Sequence, residues 1–460
     1  MFEASTYTSR RKRLYNQIDS GLLLFLGNDE SPMNYADNPF HYRQDSTFLY
    51  FFGLSYAGLA AVVDIDEGRD IVFGDDLTVE DIVWMGTQPT LAERCRKVGV
   101  TDVRPLKALT NYLDDTRKKK RKIHFLPPYR AEHKISLLQL LAIPPEDSAQ
   151  KASREFIQAV VEQRNTKTEE EIVQIDKAVT TTADMHLTAM KMVRPGLLES
   201  QIAAAVHEVA LAAGGNLAFP IIATVHGETL HNHYHGNRLQ NGQMFLLDAG
   251  AETALGYGGD LSSTMPVDDH FTERQREIYD VSLKSHDAAM AMLAPGTPFR
   301  DVHLTACRAI AAGLKELGFM KGDVDEAVAA GAHALFFPCG TGHMMGLDIH
   351  DMENLGEKHV GYGGQEKSTQ FGLKSLRLAR PLEPGFVLTV EPGIYFIPEL
   401  IDMWKGEGRH AEFINYDKVE SYKDFGGLRN EECYVITEDG SRLLGKPIPK
   451  RWQDVEAMKS

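Results

Sequence analysis

The segment FLLDAGAETALGYGGDLSST, residues 245–264, ends an apolar, strand-like run on Asp248 and crosses a glycine-rich turn to a second carboxylate, Asp260, which begins a return strand. A hairpin here places both carboxylates at one end of a sheet, although taken singly each aspartate reads more readily as a turn residue. Glu391 follows the apolar run FVLTV, where a charge costs free energy unless it is paired or bound to metal. Glu431 in GGLRNEECYVIT lies two residues from Arg429, so on a strand both point to one face, and a cross-strand salt bridge is the plainer reading of that pair. In CGTGHMMGLDIHD, His343 sits among glycines that let backbone approach a ligand, with His350 and Asp351 just beyond; a lone histidine is more often a structural hydrogen-bond partner, but the glycines and the second histidine here weigh equally for a functional one.

Gathered without a cation, Asp248, Asp260, Glu391 and Glu431 repel one another and some take up protons. Two divalent cations nearly cancel that charge. Oxygen ligands with one imidazole, His343, suit Mn2+ or a similar hard ion, and the spacing leaves Co2+ and Zn2+ open. Metals roughly 3.5–4 Å apart share a bridging water, lower its pKa and hold it against a carbonyl carbon, so hydrolysis is the natural reaction class. A rival site is HNHYHGN, where His231, His233 and His235 alternate; on a strand all three face one way, and two histidines at this spacing with a distant third can bind zinc, whereas a loop scatters them, and the preferred reading is that one of them lines the carboxylate site.

The elements that must position these residues recur. Thr168 and Glu171 have capping-box spacing ahead of a helix whose apolar residues Ile172, Ile175, Val179 and Ala183 share a face, and that helix is expected to stop at VRPG, 193–196. A second helix, ESQIAAAVHEVALAAGG, leads to strands ending at FLLDAG. Thr272 and Gln275 repeat the cap, LAPG at 293–296 repeats the stop, another helix follows, and strands end at VLTVEPG. This order predicts an internal duplication whose halves bring Asp248 and Glu391 to a shared centre; two unrelated helical hairpins are the alternative. Upstream, residues 1–155 alternate strand-like runs such as GLLLFLG with polar turns, the pattern of a separate α/β domain, and IPPEDSAQKAS marks the break to a domain spanning 156–460.

With 460 residues, two domains are the expectation. The net charge of −16 argues against nucleic acid, which needs a basic surface. The run RKKKRK, 117–122, reads as a solvated helix end rather than a localisation signal or polyanion patch. The four cysteines, Cys95, Cys307, Cys339 and Cys433, show no CxxC pairing, which points to a reducing cytoplasm. Neither a signal-peptide core nor a membrane-length apolar run of ~20 residues is evident, so a soluble protein without membrane partners is expected.

Together the motifs LDAG, GDLSST, GHMMGLDIHD, LEPGFVLTVEPGIYF and GGLRNEE, in this order, and HYRQDSTFLYFFGL at 41–54, resemble the pita-bread metallopeptidases of the Xaa-Pro aminopeptidase and Xaa-Pro dipeptidase branch over nearly the whole chain. The resemblance implies an α/β (α+β) architecture with a pseudo-twofold pita-bread catalytic domain behind a smaller α/β domain. It also implies that Asp248 binds one metal, Asp260 and Glu431 bridge two, and His343 and Glu391 bind the other. Glu391 would shuttle a proton to the leaving proline nitrogen, and His350 would stabilise the tetrahedral intermediate. His233, more than His231, would face substrate, Arg429 would orient substrate or ligands, and Arg377 in SLRLAR would hold a proline carboxylate. The implied partners are peptides with proline in second position and a second copy of the chain, as a homodimer or higher oligomer. Arg377 leans toward the dipeptidase and RQDSTFLYFFG toward the aminopeptidase, which is the preferred reading; a binding module that has lost catalysis is the alternative of another class. Three departures stand out: one extra residue between Asp248 and Asp260, Cys339 where a histidine is usual, and Asn430 in place of an apolar residue.

Overall fold

The computed structural model describes residues 1–459 and divides into two compact units, one comprising Met1–Arg164 with Met352–His359, the other Asn165–Asp351 with the chain from Val360 onward. The first unit is built on a mixed five-stranded sheet in the spatial order Asp102–Arg104, Arg69–Phe73, Ala60–Asp64, Leu22–Leu26, Ile123–His124. The three middle strands pair antiparallel and the two edges parallel. Alternation along these strands turns Leu22, Leu24, Val62, Ile71 and Phe73 onto Leu109, Leu113 and Leu137 of the flanking helices. On the other face Phe25 meets Phe51, Phe52 and Phe156 with ring centroids 5.0–5.3 Å apart. Phe156 belongs to the helix Arg154–Asn165, so this unit runs through the expected break near 155 to Arg164. Asp45 caps the helix Ser46–Phe52, accepting from the Phe48 N–H at 2.8 Å, which explains the QDSTFLYFF stretch. The basic run closes a helix: Arg117 and Lys118 pair with Asp114 and Asp115, Arg121 with Asp64 and Asp66, and Lys122 with Glu155.

The second unit is made twice. Helices Glu169–Met192 and Glu199–Ala212 precede an antiparallel sheet ordered Leu261–Pro266, Met244–Ala249, Ile222–Thr224. Helices Glu273–Met290 and Phe299–Glu316 precede an antiparallel sheet ordered Val387–Val390, Glu432–Ile436, Ser441–Leu443. The joints repeat as well: after each helix stop the Gly196 and Gly296 N–H groups donate, both at 2.8 Å, to Leu239 O and Leu382 O just ahead of the sheet strands. Gln275 completes the predicted cap at Thr272, and at Thr168 both the backbone N–H and the hydroxyl donate to Glu171 Oε2 at 3.1 Å. The buried core of this unit draws on both halves, from Phe245 and Leu247 to Ile310, Phe336, Ile394 and Trp404. Among the described residues no helix is long and apolar enough to cross a membrane.

Candidate metal centre

Register sets the first two carboxylates. Asp248 pairs across to Ser262 and, on its other side, to Ile222; Asp260 is the residue before the strand Leu261–Pro266. The extra residue between them is absorbed in a turn closed by a bridge from Glu252 to Gly258. The chain can make this return only with glycines where backbones nearly touch. A Cβ on Gly250 would lie 2.0 Å from Gly259 O, and one on Gly259 would lie 2.6 Å from Val179 N of the long helix Glu169–Met192. From that helix the buried His186 braces the hairpin, Nδ1 to Ser263 Oγ at 2.7 Å and Nε2 to Ala249 O at 3.2 Å.

The second half delivers the remaining groups. Val387–Val390 ends directly before Glu391, whose N–H donates to Thr341 O at 2.7 Å. His343, two residues further on, is tied to the same strand by Thr389 N–H donating to its carbonyl at 3.0 Å. Its Nδ1 donates to Met344 O at 3.1 Å, which turns Nε2 and its lone pair toward Asp260 Oδ2 at 3.5 Å and Glu391 Oε1 at 3.4 Å. Asn430 and Glu431 interrupt the strand between Arg429 and Glu432, yet Arg429 and Glu431 still share a target: Ser262 Oγ accepts from Arg429 Nε at 2.8 Å and donates to Glu431 Oε2 at 2.7 Å. Arg429 also donates to Tyr395 OH at 2.8 Å and to Asp248 Oδ2, so it holds one carboxylate directly and another through Ser262.

The charges show the strain of this gathering. Burial first, then repulsion from Asp260 and Glu391, pushes the Asp248 carboxyl up to about 7, against the pull of Arg429. Burial raises Glu391, and burial with three neighbouring carboxylates raises Glu431 well above the usual range. Burial alone would lower His343, but its bond to Asp260 and the Glu391 charge leave it raised. Asp260, 4% exposed, has one oxygen, Oδ1, with no hydrogen-bond partner. A buried carboxylate oxygen in that state is costly unless a cation faces it. Atoms of Asp260, His343 and Glu431 lie within 4.8 Å of one another, within reach of one ion. The donor set therefore fits a divalent metal.

A cavity of about 450 Å³ opens onto this cluster, and the nine residues to which the resemblance assigns a preferred role line it: Asp248, Asp260, His343, Glu391 and Glu431, then His233, His350, Arg377 and Arg429. His350 stacks edge-on to His343, ring centroids 4.5 Å apart, and burial with the charges of His343, Arg377 and His231 lowers it to about 2, so the imidazole is neutral. The alternating histidines form no separate site: they lie on a loop rather than a strand, and while His231 and His233 reach the cavity, His235 turns back to Ile221 O at 3.0 Å. Asn430 points away, accepting from Tyr279 OH at 3.1 Å, so its departure from an apolar residue leaves the centre untouched. Cys339 lines the cavity, its thiol pushed up to about 12 by burial and the Glu391 charge. Sequence reasoning missed Ser262, Tyr395 and His186, whose roles depend on pairing across elements. It also missed an apolar wall of Phe219, Pro220, Ile222, Leu230 and Ile349.

Comparison with known proteins points the same way. The profile described as metallopeptidase family M24 matches residues 173–438, and that described as aminopeptidase P, N-terminal domain, matches 7–124. The human Xaa-Pro dipeptidase is 30% identical, with 97% of this chain and 90% of that protein aligned. The Escherichia coli Xaa-Pro aminopeptidase is 30% identical, covering 98% and 97%. A glutamate-to-alanine variant of E. coli aminopeptidase P in complex with substrate superposes with a TM-score of 0.81 at 28% identity, covering 99% and 98% of the two chains. Proline aminopeptidase P II from Yersinia pestis gives 0.82 at 27%, covering 99% of each.

Proposed function

The chain belongs to metallopeptidase family M24, and from that premise we propose that it is an Xaa-Pro aminopeptidase working with two divalent ions, for which manganese suits the oxygen-rich ligand set. It is a metal-dependent hydrolase of the pita-bread fold. The observation that carries the two-ion reading is the convergence of four carboxylates and one imidazole on a single cavity, with a buried Asp260 oxygen left unbonded.

Asp248, Asp260, His343, Glu391 and Glu431 would hold the ions, with Asp260 and Glu431 shared between them. When bound, such ions supply Lewis acidity and acidify a water. Glu391 is the group to take the proton of the attacking water and deliver it to the proline nitrogen as the amide breaks; burial already favours its protonated form. The neutral His350 donates to the oxygen that gains negative charge in the tetrahedral intermediate. His233 lines the cavity, where it would face substrate. Arg429, with donors committed to Ser262, Tyr395 and Asp248, orients ligands rather than substrate. Proline makes the scissile amide tertiary and removes its N–H, so recognition falls to shape and to the apolar wall.

The dipeptidase is the second reading, supported by Arg377 at the cavity, a cation placed to meet a free proline carboxylate, and by the human relative. Initial rates of the manganese-loaded protein on an Xaa-Pro dipeptide and an Xaa-Pro tripeptide test the choice. The aminopeptidase turns over the tripeptide readily, and turnover confined to the dipeptide would replace it by the dipeptidase. A homo-oligomer and a cytoplasmic location complete the proposal; light scattering tests the first, and the four free cysteines, three of them buried, support a reducing compartment.

A further inference from the structure

A second group of ligating side chains lies in the core of the same unit, apart from the carboxylates. His303 and Cys307 stand one turn apart on the helix Phe299–Glu316, and His333 comes from the short 3-10 turn Ala332–Leu335. One ligand atom from each lies within 4.8 Å of the others, and the three side chains are 0–3% exposed. Cys307 Sγ is 3.5 Å from His303 Nε2. A metal about 2.3 Å from sulfur and about 2.0 Å from nitrogen separates those ligands by roughly 3.5–3.8 Å, the spacing of this pair. Sγ is also 4.0 Å from Nδ1 and so stands to the side of Nε2, and a turn of the imidazole points Nε2 at a shared ion.

Three further observations point to a ligand here. His303 Nδ1 is taken up by Thr341 Oγ1 at 2.8 Å, which leaves Nε2 as the ring nitrogen available to a ligand, the arrangement in which a partner on the other nitrogen fixes a metal-binding histidine. His333 buries both ring nitrogens without a hydrogen-bond partner, an expensive state for an imidazole in an apolar core. Burial also lowers His303 to about 3 and His333 to about 4, so both rings are neutral and able to coordinate.

We propose that His303, Cys307 and His333 form a buried, three-coordinate site for a soft monovalent cation, Cu(I). Charge decides between the soft metals. Binding Cu(I) expels the thiol proton and leaves thiolate, cation and two neutral imidazoles with no net charge, whereas Zn2+ leaves one positive charge among Ala332, Ala334, Phe337 and Ile310, all buried. Desolvation holds Cys307 as the thiol when no metal is present, so occupation releases one proton.

The test is anaerobic titration of the chelator-stripped full-length protein with Cu(I) against bathocuproine disulfonate. The wild type and Cys339→Ser, which removes the neighbouring cavity thiol, each retain one equivalent; Cys307→Ala binds it at least 100-fold more weakly. X-ray absorption on the copper-loaded wild type, which needs no variant to fold, gives one sulfur and two nitrogen ligands. Equal retention by Cys307→Ala, or a copper shell without sulfur, overturns the site. Cys307-dependent binding of Zn2+ with no retention of copper overturns the assignment of the metal.

Discussion

At the scale of single residues, Asp260 shows how a side chain can be prepared for an ion. It is buried, one oxygen faces His343 Nε2 and the other has no hydrogen-bond partner, while Asp248, Glu391 and Glu431 around it are all held above the ordinary carboxylate range. A carboxyl raised to about 7 when folded, against about 4 when unfolded, binds a proton in the native state throughout that interval, and the stabilisation this gives is lost as pH rises through 7. Metal competes with that proton, so metal affinity must rise with pH across the same window. Calorimetry of manganese binding to the stripped protein at pH 6.5 in two buffers of different ionisation enthalpy is expected to show net proton release, with affinity weakening several-fold on going to pH 5.5. Asp260→Ala is expected to lose both the release and peptide turnover; full turnover in that variant would refute the two-metal reading.

At the scale of elements, the duplicated order was legible because its signals are local. A cap three residues ahead of its acidic or amide partner, an amphipathic face and a Pro-Gly stop sit within one helix, and each recurs about a hundred residues later. Thr272→Ala is expected to cost about 1 kcal/mol of unfolding free energy, seen as a lower Tm of the second unit, with turnover at 25 °C unchanged. What local signals could not give was the joint between the two sheets. Ser262 reads as an ordinary strand residue until Arg429 and Glu431 arrive, 167 and 169 residues later, to bond its hydroxyl. Tyr395 likewise looks like core until the strand pair Gly393–Tyr395 and Gly427–Arg429 brings the guanidinium to its hydroxyl. The alternating histidines failed as a strand because 232–237 is a loop, where period-two spacing carries no directional meaning.

At the scale of the molecule, the cavity is lined by groups that share no neighbourhood in sequence: Arg377, His350, and the apolar wall from Phe219 to Leu230 meet only across it. If Arg377 meets a free proline carboxylate, Arg377→Ala lowers kcat/KM for an Xaa-Pro dipeptide by about 10–100-fold, the worth of one charge-assisted hydrogen bond, and leaves the tripeptide rate within about twofold. Equal losses on both substrates would place Arg377 elsewhere in the mechanism. By itself, the sequence determined the class of chemistry and nominated its ligands. Asp248, Asp260, His343, Glu391 and Glu431 each stand where an apolar run or a glycine-rich turn makes a bare polar group too costly to be idle, and that cost is written locally. Only the tertiary structure decided which groups hold those ligands in place, and that Cys307 lies with two histidines. Register across sheets and packing of helix on turn join residues from 26 to 181 positions apart, and no periodicity in the chain encodes such distances.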